Sequence, residues 1–187
     1  MMPRLGTFAP ASIESQHGSD GGVPHELTFL ASVSANWAND DKHEQQEDPL
    51  SRIRIEAGPH TFLALLETKA APQTCAKFLT LLPYRQHIIH VRWSGEACWI
   101  PLGSLDLGLD LENHTSYPAP GEIVLYPGGI SETEILLAYG AVRFASKVGQ
   151  LAGNHFLTIT ENREQLRPLG ELVLWKGAQE ILFERHD

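Results

Sequence analysis

Two carboxylates lie two residues apart in the segment YPGGISETEILLAYG, residues 126–140. A PGG turn precedes Glu132 and Glu134 and an apolar run follows them, so a strand is expected to begin here. Because strand side chains alternate, both carboxylates would point to one face. Enclosed neighbouring carboxylates repel each other, and one of them then holds its proton more strongly, which suits a general acid or base.

A second polar segment, RWSGE at residues 92–96, supplies a guanidinium, an indole, a hydroxyl and a carboxylate. In an extended conformation Ser94 and Glu96 would share the face of Arg92, although a bend at the intervening glycine is an equal alternative. With Trp93 beside them, these groups would form a polar corner for a small anionic or amide ligand.

Structural interpretations of both segments stay open. Arg92 or Arg143 would neutralise the two glutamates in a salt bridge, or the glutamates would be solvated at an exposed strand start. In the second segment, Arg92 would pair with Glu96 at a strand end, while Trp93 and Trp99 would be core aromatics.

The segment GNHF, residues 153–156, is the third candidate. Gly153 allows close backbone approach, while Asn154 and His155 offer hydrogen-bonding groups. His155 is the histidine chosen as a proton carrier, since imidazole titrates near neutral pH. The alternative is a satisfied histidine at a strand edge.

The candidate set combines the polar residues of these segments with the two tyrosines of the 126–140 block. The catalytic candidates are Glu132, Glu134 and His155. The predicted ligand-binding residues are Arg92, Trp93, Ser94, Glu96, Tyr126, Glu132, Glu134, Tyr139, Arg143, Asn154 and His155.

No metal or cofactor is predicted. His87 and His90 have a spacing that suits a metal on a helix, but the setting HIIHV indicates a strand, which would point them to opposite faces. Cys75 and Cys98 fit no metal or redox spacing, so buried free thiols are expected. The chain also lacks a glycine-rich phosphate loop before a helix and a GxSxG elbow.

The composition is that of a globular protein. Of the 187 residues, 42% are hydrophobic and 20% are charged. The formal net charge of -9 argues against nucleic-acid binding and gives no attraction to anionic membranes. No apolar stretch has the length of a membrane span or a signal peptide, so a cytoplasmic protein is expected.

The pattern along the chain predicts an N-terminal arm over residues 1–25 and one domain over residues 26–187. The domain starts with an alternating strand over 26–37. The arm and this strand are one way to a homo-oligomer, because they would cover an open sheet edge of a sister subunit.

The domain has a predicted helix over 72–83, where apolar residues recur at i, i+3, i+4 and i+7. Many short strands punctuated by Gly and Pro follow it. A second helical region, ENREQLRPLGELVLWKG, is expected to be interrupted or kinked at Pro168 and Gly170. Together these elements predict a mainly β protein, a closed and mostly antiparallel barrel capped by two helices.

The helix APQTCAKFLTLLP resembles the corresponding helix of cyclophilins. Four further blocks, RWSGE, PGEIVLYPGGISETEILLAYG, RFASKVGQLAGNHF and LWKGAQEI, are similar to a bacterial cyclophilin-like family of unknown function, over roughly residues 52–184. The resemblance implies an eight-stranded barrel closed by two helices, and no known reaction. Active prolyl isomerases also carry an FxxQ segment and a GGD turn that this sequence lacks, although Arg85 or Arg92 aligns with their catalytic arginine.

Three functions are therefore carried forward. The leading one is binding of a small polar metabolite in a pocket of the barrel surface, by a metabolic enzyme or an accessory subunit. The second is a non-catalytic oligomeric assembly module. The third, disfavoured by the missing motifs, is a peptidyl-prolyl cis-trans isomerase.

Overall fold

The structure is a computed structural model that describes residues 51–186. The predicted arm over 1–25 and the predicted strand over 26–37 lie outside the described residues. Within 51–186, no helix is long and apolar enough to cross a membrane.

The described residues form two α-helices and eleven strands. The helices are α1 (Pro72–Leu79) and α2 (Leu166–Lys176), the latter preceded by a 3-10 turn over Arg163–Gln165. The strands are β1 (Arg52–Ala57), β2 (His60–Leu66), β3 (Tyr84–His90), β4 (Gly95–Gly103), β5 (His114–Thr115), β6 (Glu122–Tyr126), β7 (Thr133–Val142), β8 (Ala145–Ser146), β9 (Gly149–Gln150), β10 (Gly153–Glu161) and β11 (Gln179–Arg185).

Eight of these strands close into an antiparallel barrel. Their order is β2-β1-β11-β3-β4-β7-β6-β10, and a direct pairing of β10 with β2 closes the ring. The short β5 extends β10, while β8 and β9 form a separate hairpin. The predicted eight-stranded, mainly β barrel with two helices is confirmed.

The barrel interior is the main core. Alternation along β1 buries Ile53, Ile55 and Ala57 completely, and both helices cover the barrel with apolar side chains. Phe78 of α1 packs against Phe156 with ring centroids 4.8 Å apart. The two cysteines are buried free thiols, as the sequence predicts.

The predicted interruption of the second helix is wrong. Helix α2 continues through Pro168 and Gly170. Pro168 is the third residue of the helix, where a backbone N–H has no partner inside the helix, so the proline ring costs no hydrogen bond. A Cβ atom at Gly170 would come within 2.5 Å of the Tyr139 ring, so glycine allows the helix to approach the barrel closely.

A smaller apolar cluster lies on the outer face of the barrel, where it positions the candidate site. Along β7, Ile135 and Leu137 belong to the inner core, whereas Leu136 belongs to the outer cluster. Glu134 shares the face of Leu136 by alternation. The remaining members of the outer cluster are Ala97, Val124, Tyr126, Phe144 and Leu151, with Val91, Trp99 and Val142 packed against them.

Candidate functional site

A cavity of about 160 Å³ lies beside this outer cluster, and we call it the outer pocket. Four parts of the chain line it: the segment after β3, strand β4, the start of β7 with the turn before it, and the β8–β9 hairpin. The lining residues are Val91, Arg92, Trp93, Ser94, Trp99, Ser131, Glu132, Glu134, Ala145, Ser146 and Lys147. Five of the predicted site residues, from two separate sequence segments, thus meet in one pocket.

Glu134 is the buried acid of the outer pocket, with only 6% of its surface exposed. Burial first, and the neighbouring Glu132 carboxylate second, raise the pKa of Glu134 from 4.5 to about 8. No side chain or backbone donor of residues 51–186 forms a hydrogen bond or an ion pair with it. Glu134 is therefore mainly protonated at neutral pH, and its carboxyl oxygens have no partner among residues 51–186.

Trp99 also lines the outer pocket and has an unpaired polar atom. Its Nε1 atom is shielded from solvent and has no hydrogen-bond acceptor, the one such side-chain nitrogen or oxygen atom within residues 51–186. A buried N–H without a partner destabilises the fold, because its bonds to water are lost and not replaced.

The mouth of the outer pocket carries charge of both signs. Arg92, Lys147 and Glu132 are exposed and line the pocket. None of the three forms an ion pair within 4.0 Å in the described part of the chain, so the predicted salt bridge between Arg92 and the glutamates is absent there. Glu134 lies within strand β7 and is buried. Glu132 lies just before the strand, which starts at Thr133, and is exposed.

The RWSGE segment divides at Gly95, which has a φ of +96°. A Cβ atom there would lie 2.6 Å from the Ala141 carbonyl oxygen, so the bend needs glycine. On one side Ser94 lines the outer pocket, and its hydroxyl donates to the Ala145 carbonyl at 3.0 Å. On the other side Glu96 lies outside the pocket.

Glu96 has a structural position. Its carboxylate accepts the Ala141 N–H at 2.9 Å and pairs with Arg167 of α2 at 3.0 Å. The Ala141 N–H, followed by Arg167, lowers the pKa of Glu96. The structure thus gives Glu96 a different cation from the Arg92 that the structural alternative paired with it.

The two predicted tyrosines also lie outside the outer pocket's lining. Tyr126 is buried in the outer cluster and makes an edge contact with Phe144, with ring centroids 6.1 Å apart. Tyr139 belongs to the inner core, and its hydroxyl lies 2.8 Å from His90 Nε2. Burial raises the pKa of Tyr139.

Asn154 is completely buried and fully used in holding the loop before β5. Its Nδ2 donates to Thr74 Oγ1 at 3.0 Å and to the Asp110 carbonyl at 2.9 Å. Its Oδ1 accepts the Glu112 N–H at 3.0 Å. Two of these bonds fix a long connection that has little secondary structure, and the bond to Thr74 joins Asn154 to α1, so Asn154 has a structural position rather than a binding one.

His155 lies in a hydrogen-bonded chain on β10, away from the outer pocket. The Thr158 hydroxyl donates to Glu67 Oε1 at 2.6 Å, so its oxygen accepts from His155 Nε2 at 2.8 Å. Arg143 is exposed and donates from Nε to Gln150 Oε1 at 3.2 Å across the β8–β9 hairpin. Neither residue lines the outer pocket.

Metal binding finds no support in the described residues. No group of three or more His, Cys, Asp or Glu within 51–186 is arranged to hold a metal ion. His87 is exposed and His90 is partly buried against Tyr139, as expected for side chains on opposite faces of β3.

A wider groove of about 440 Å³ adjoins the outer pocket, and the two share Ser131 and Glu132. Asp106 and the turn Pro127–Gly129 line this adjoining groove as well. Sequence reasoning missed the groove and also Trp99, Ser131, Ser146 and Lys147 of the outer pocket. The β8–β9 hairpin packs on the outer face through long-range contacts, which no local periodicity indicates.

The fold and the outer-face position of the site define a class: a closed, cyclophilin-like β-barrel with a small acid-containing surface pocket. The chain belongs to the family described as proteins of unknown function DUF3830, whose model matches residues 53–184. No curated protein matches the chain.

Three solved structures show the same fold at low sequence identity. McbB in complex with tryptophan is 18% identical with a TM-score of 0.56, over 71% of this chain and 44% of the McbB chain. The chain thus spans less than half the length of McbB. The hypothetical protein AF2241 from Archaeoglobus fulgidus is 16% identical with a TM-score of 0.51, over 75% of this chain and 98% of that one.

The third is a cyclophilin-type peptidyl-prolyl cis-trans isomerase from Cryptosporidium parvum. It is 15% identical with a TM-score of 0.50, over 73% of this chain and 98% of that one. Likeness at this level shows the fold alone, because one fold supports many activities. The predicted resemblance to a cyclophilin-like family of unknown function is confirmed.

Proposed function

We propose that the protein binds a small polar molecule in the outer pocket, where Glu134 forms hydrogen bonds with it and exchanges a proton with it. The observation that carries this proposal is Glu134, which has only 6% of its surface exposed, lies in the wall of a cavity and has a carboxyl group with no partner among residues 51–186. Buried polar groups in proteins are otherwise nearly always hydrogen-bonded.

A purely structural role for Glu134 does not account for its surroundings. A mostly buried carboxyl without a partner lowers the free energy of unfolding, since most of its hydration is lost and not replaced. An apolar residue in its position would extend the outer cluster of Leu136 and Tyr126. A ligand that forms a hydrogen bond with the Glu134 carboxyl offsets this cost.

The size of the cavity limits the ligand. Pockets for drug-sized molecules have volumes of roughly 300–1,000 Å³. The outer pocket has about 160 Å³, which fits a smaller metabolite or one polar end of a longer molecule that continues into the adjoining groove. The McbB structure contains tryptophan, so a small polar ligand is compatible with a protein that includes this barrel.

The protonation of Glu134 supports acid–base chemistry at the same site. A carboxyl whose pKa is about 8 has substantial populations of both forms near neutral pH. Such a group acts as a general acid or a general base when the reacting atom lies within hydrogen-bonding distance. Glu134 is therefore the proposed proton carrier of an enzyme built on this pocket.

A thermal-shift screen against a metabolite library tests the proposal. A compound that binds only the folded protein raises its apparent melting temperature. We expect at least one small polar metabolite to do so, and we expect the shift to disappear in Trp99→Phe. Trp175→Phe is the matched control, because Trp175 lies on α2 with 77% of its surface exposed. A shift that survives both Trp99→Phe and Glu134→Leu would place the ligand elsewhere and overturn the proposal.

The assembly hypothesis stays a prediction, because its arm over 1–25 lies outside the described residues. Light scattering after size exclusion, on the full chain and on a chain lacking residues 1–25, tests it directly. A monomer in both samples would rule it out.

A further inference from the structure

We infer that the group bound in the outer pocket is the carboxylate of a small organic acid, held by the Glu134 carboxyl and the cationic side chains of Arg92 and Lys147. This inference rests on the proposed function and names the ligand class for the same site. Three features of the described residues support it: the donor at Glu134, the sign of the lining charge, and the contrast with the adjoining groove.

The first feature is the direction of the hydrogen bond at Glu134, which lines the pocket. Glu134 is mainly protonated at neutral pH because burial raises its pKa to about 8, and its O–H is then a donor in the pocket wall. A carboxylate accepts from this O–H, whereas an ammonium group has no acceptor for it.

The second feature is the lining charge. With Glu134 neutral, the outer pocket has two cationic side chains, Arg92 and Lys147, and one ionised carboxylate, Glu132. The chain as a whole has a formal net charge of -9, so a cationic lining departs from the rest of the molecule. Neither cation forms an ion pair within the described residues, so both are available to an anionic ligand.

The third feature is the contrast with the adjoining groove. The charged residues of the adjoining groove are Asp106 and Glu132, and no cationic residue lines it. A molecule that extends from the outer pocket into this groove would thus have its carboxylate in the outer pocket. Any neutral or basic part of it would lie beyond Ser131 and Glu132, which belong to both cavities.

The test observes the Trp99 indole resonance in ¹H–¹⁵N spectra of the full chain, assigned by its disappearance in Trp99→Phe. The probes are propionate, propionamide, n-propylamine and inorganic phosphate, each titrated to high millimolar concentration. We expect propionate to move the Trp99 resonance saturably and to bind more tightly than propionamide. We expect n-propylamine to leave it unchanged.

The pH dependence of propionate binding gives a second readout. Because binding uses the proton on Glu134, the dissociation constant should rise about tenfold from pH 7 to pH 9. Glu134→Gln keeps a neutral donor and should remove this dependence, while Glu132→Gln should keep it. Subtracting the Glu134→Gln curve from the wild-type curve also removes the effect of the other charged or titratable groups near Glu134, which are Arg92, Lys147, Glu132 and Tyr126.

The outcomes separate the inference from the proposed function. Binding of n-propylamine with rising affinity at higher pH would overturn the carboxylate inference and keep the proposed function, because Glu134 would then be the ionised partner of a cation. Phosphate bound more tightly than propionate would overturn the carboxylate as well. No response to any of the four probes would also overturn it, and the library screen would then decide the proposed function separately.

Discussion

Asn154 on β10 and Glu134 on β7 are both buried polar side chains of one barrel, but their surroundings differ. All polar atoms of Asn154 are used, in bonds to Thr74, Asp110 and Glu112. The Glu134 carboxyl has no such bond among residues 51–186, and it lines a pocket. Satisfied buried groups stabilise a fold, whereas unsatisfied ones lower its stability and persist where a ligand uses them.

The strongest test of this comparison is the pH dependence of stability. The folded-state pKa of Glu134 is raised from 4.5 to about 8, so its contribution to stability is fully present below pH 4.5 and is lost as pH rises to about 8. Linkage gives a loss on the order of 4 kcal/mol for a shift of this size. We expect Glu134→Gln to remove this loss, so that urea unfolding from pH 4.5 to pH 8 gives diverging curves for the two proteins.

Parallel curves for wild type and Glu134→Gln would contradict the comparison, since they would mean that Glu134 has similar pKa values in the folded and unfolded states. Glu132→Gln is the comparison variant. It removes only the smaller of the two causes that raise the pKa of Glu134, so we expect its curve to diverge from that of the wild type less than the Glu134→Gln curve does.

Exchanging the Asn154 amide for a carboxyl should lower the free energy of unfolding, whereas exchanging the Glu134 carboxyl for an amide should raise it toward pH 8. Asn154→Asp removes both Nδ2 donors and brings a carboxylate against the Asp110 carbonyl, which was bonded at 2.9 Å. Leaving a buried acceptor unpaired costs about 1–3 kcal/mol, and we expect a loss near 3 kcal/mol in urea unfolding at pH 7. Asn162→Asp is the control, because that residue makes an exposed bond to the Thr61 carbonyl. Equal losses in the two variants would show that the buried bonds of Asn154 stabilise the fold no more than the exposed bond of Asn162 does.

The smallest expected effect concerns a single bond of the Asn154 network, the one to Thr74. Thr74→Val keeps the side-chain shape and removes the hydroxyl that accepts from Asn154 Nδ2 at 3.0 Å. One net hydrogen bond contributes about 1 kcal/mol, and we expect that loss in urea unfolding. Thr160→Val removes a longer, exposed bond of 3.3 Å to the Leu63 carbonyl and should cost less. A neutral Thr74→Val would show that the network tolerates an unpaired donor.

The barrel could be predicted from sequence because its signals are local. Alternation marks β1 and β2, the 3.6-residue period marks α1, and the block order carried the family resemblance. The interruption of α2 was predicted wrongly because Pro168 and Gly170 were interpreted from the local sequence alone. Pro168 lies within the first turn, and Gly170 faces the Tyr139 ring, which a local pattern does not show.

The candidate site was only partly predictable. Alternation and charge pointed to Glu134, but its depth depends on strands distant in sequence. Trp99 was expected as a core aromatic, and its ring does pack on the outer cluster while its Nε1 lacks a partner. Asn154 and His155 were predicted to be site residues because side chains that bond a loop and side chains that bind a ligand have the same hydrogen-bonding groups.

The measurement that tests the central claim most directly is the titration of the Glu134 carboxyl itself. The side-chain carboxyl carbon is followed by ¹³C NMR in the wild type and assigned with Glu134→Gln. We expect a midpoint near pH 8, well above the ordinary 4.5, because the group is buried beside Glu132 without a partner. A midpoint near 4.5 would contradict the account, since it would mean that Glu134 is solvated or paired and is not an unused buried acid.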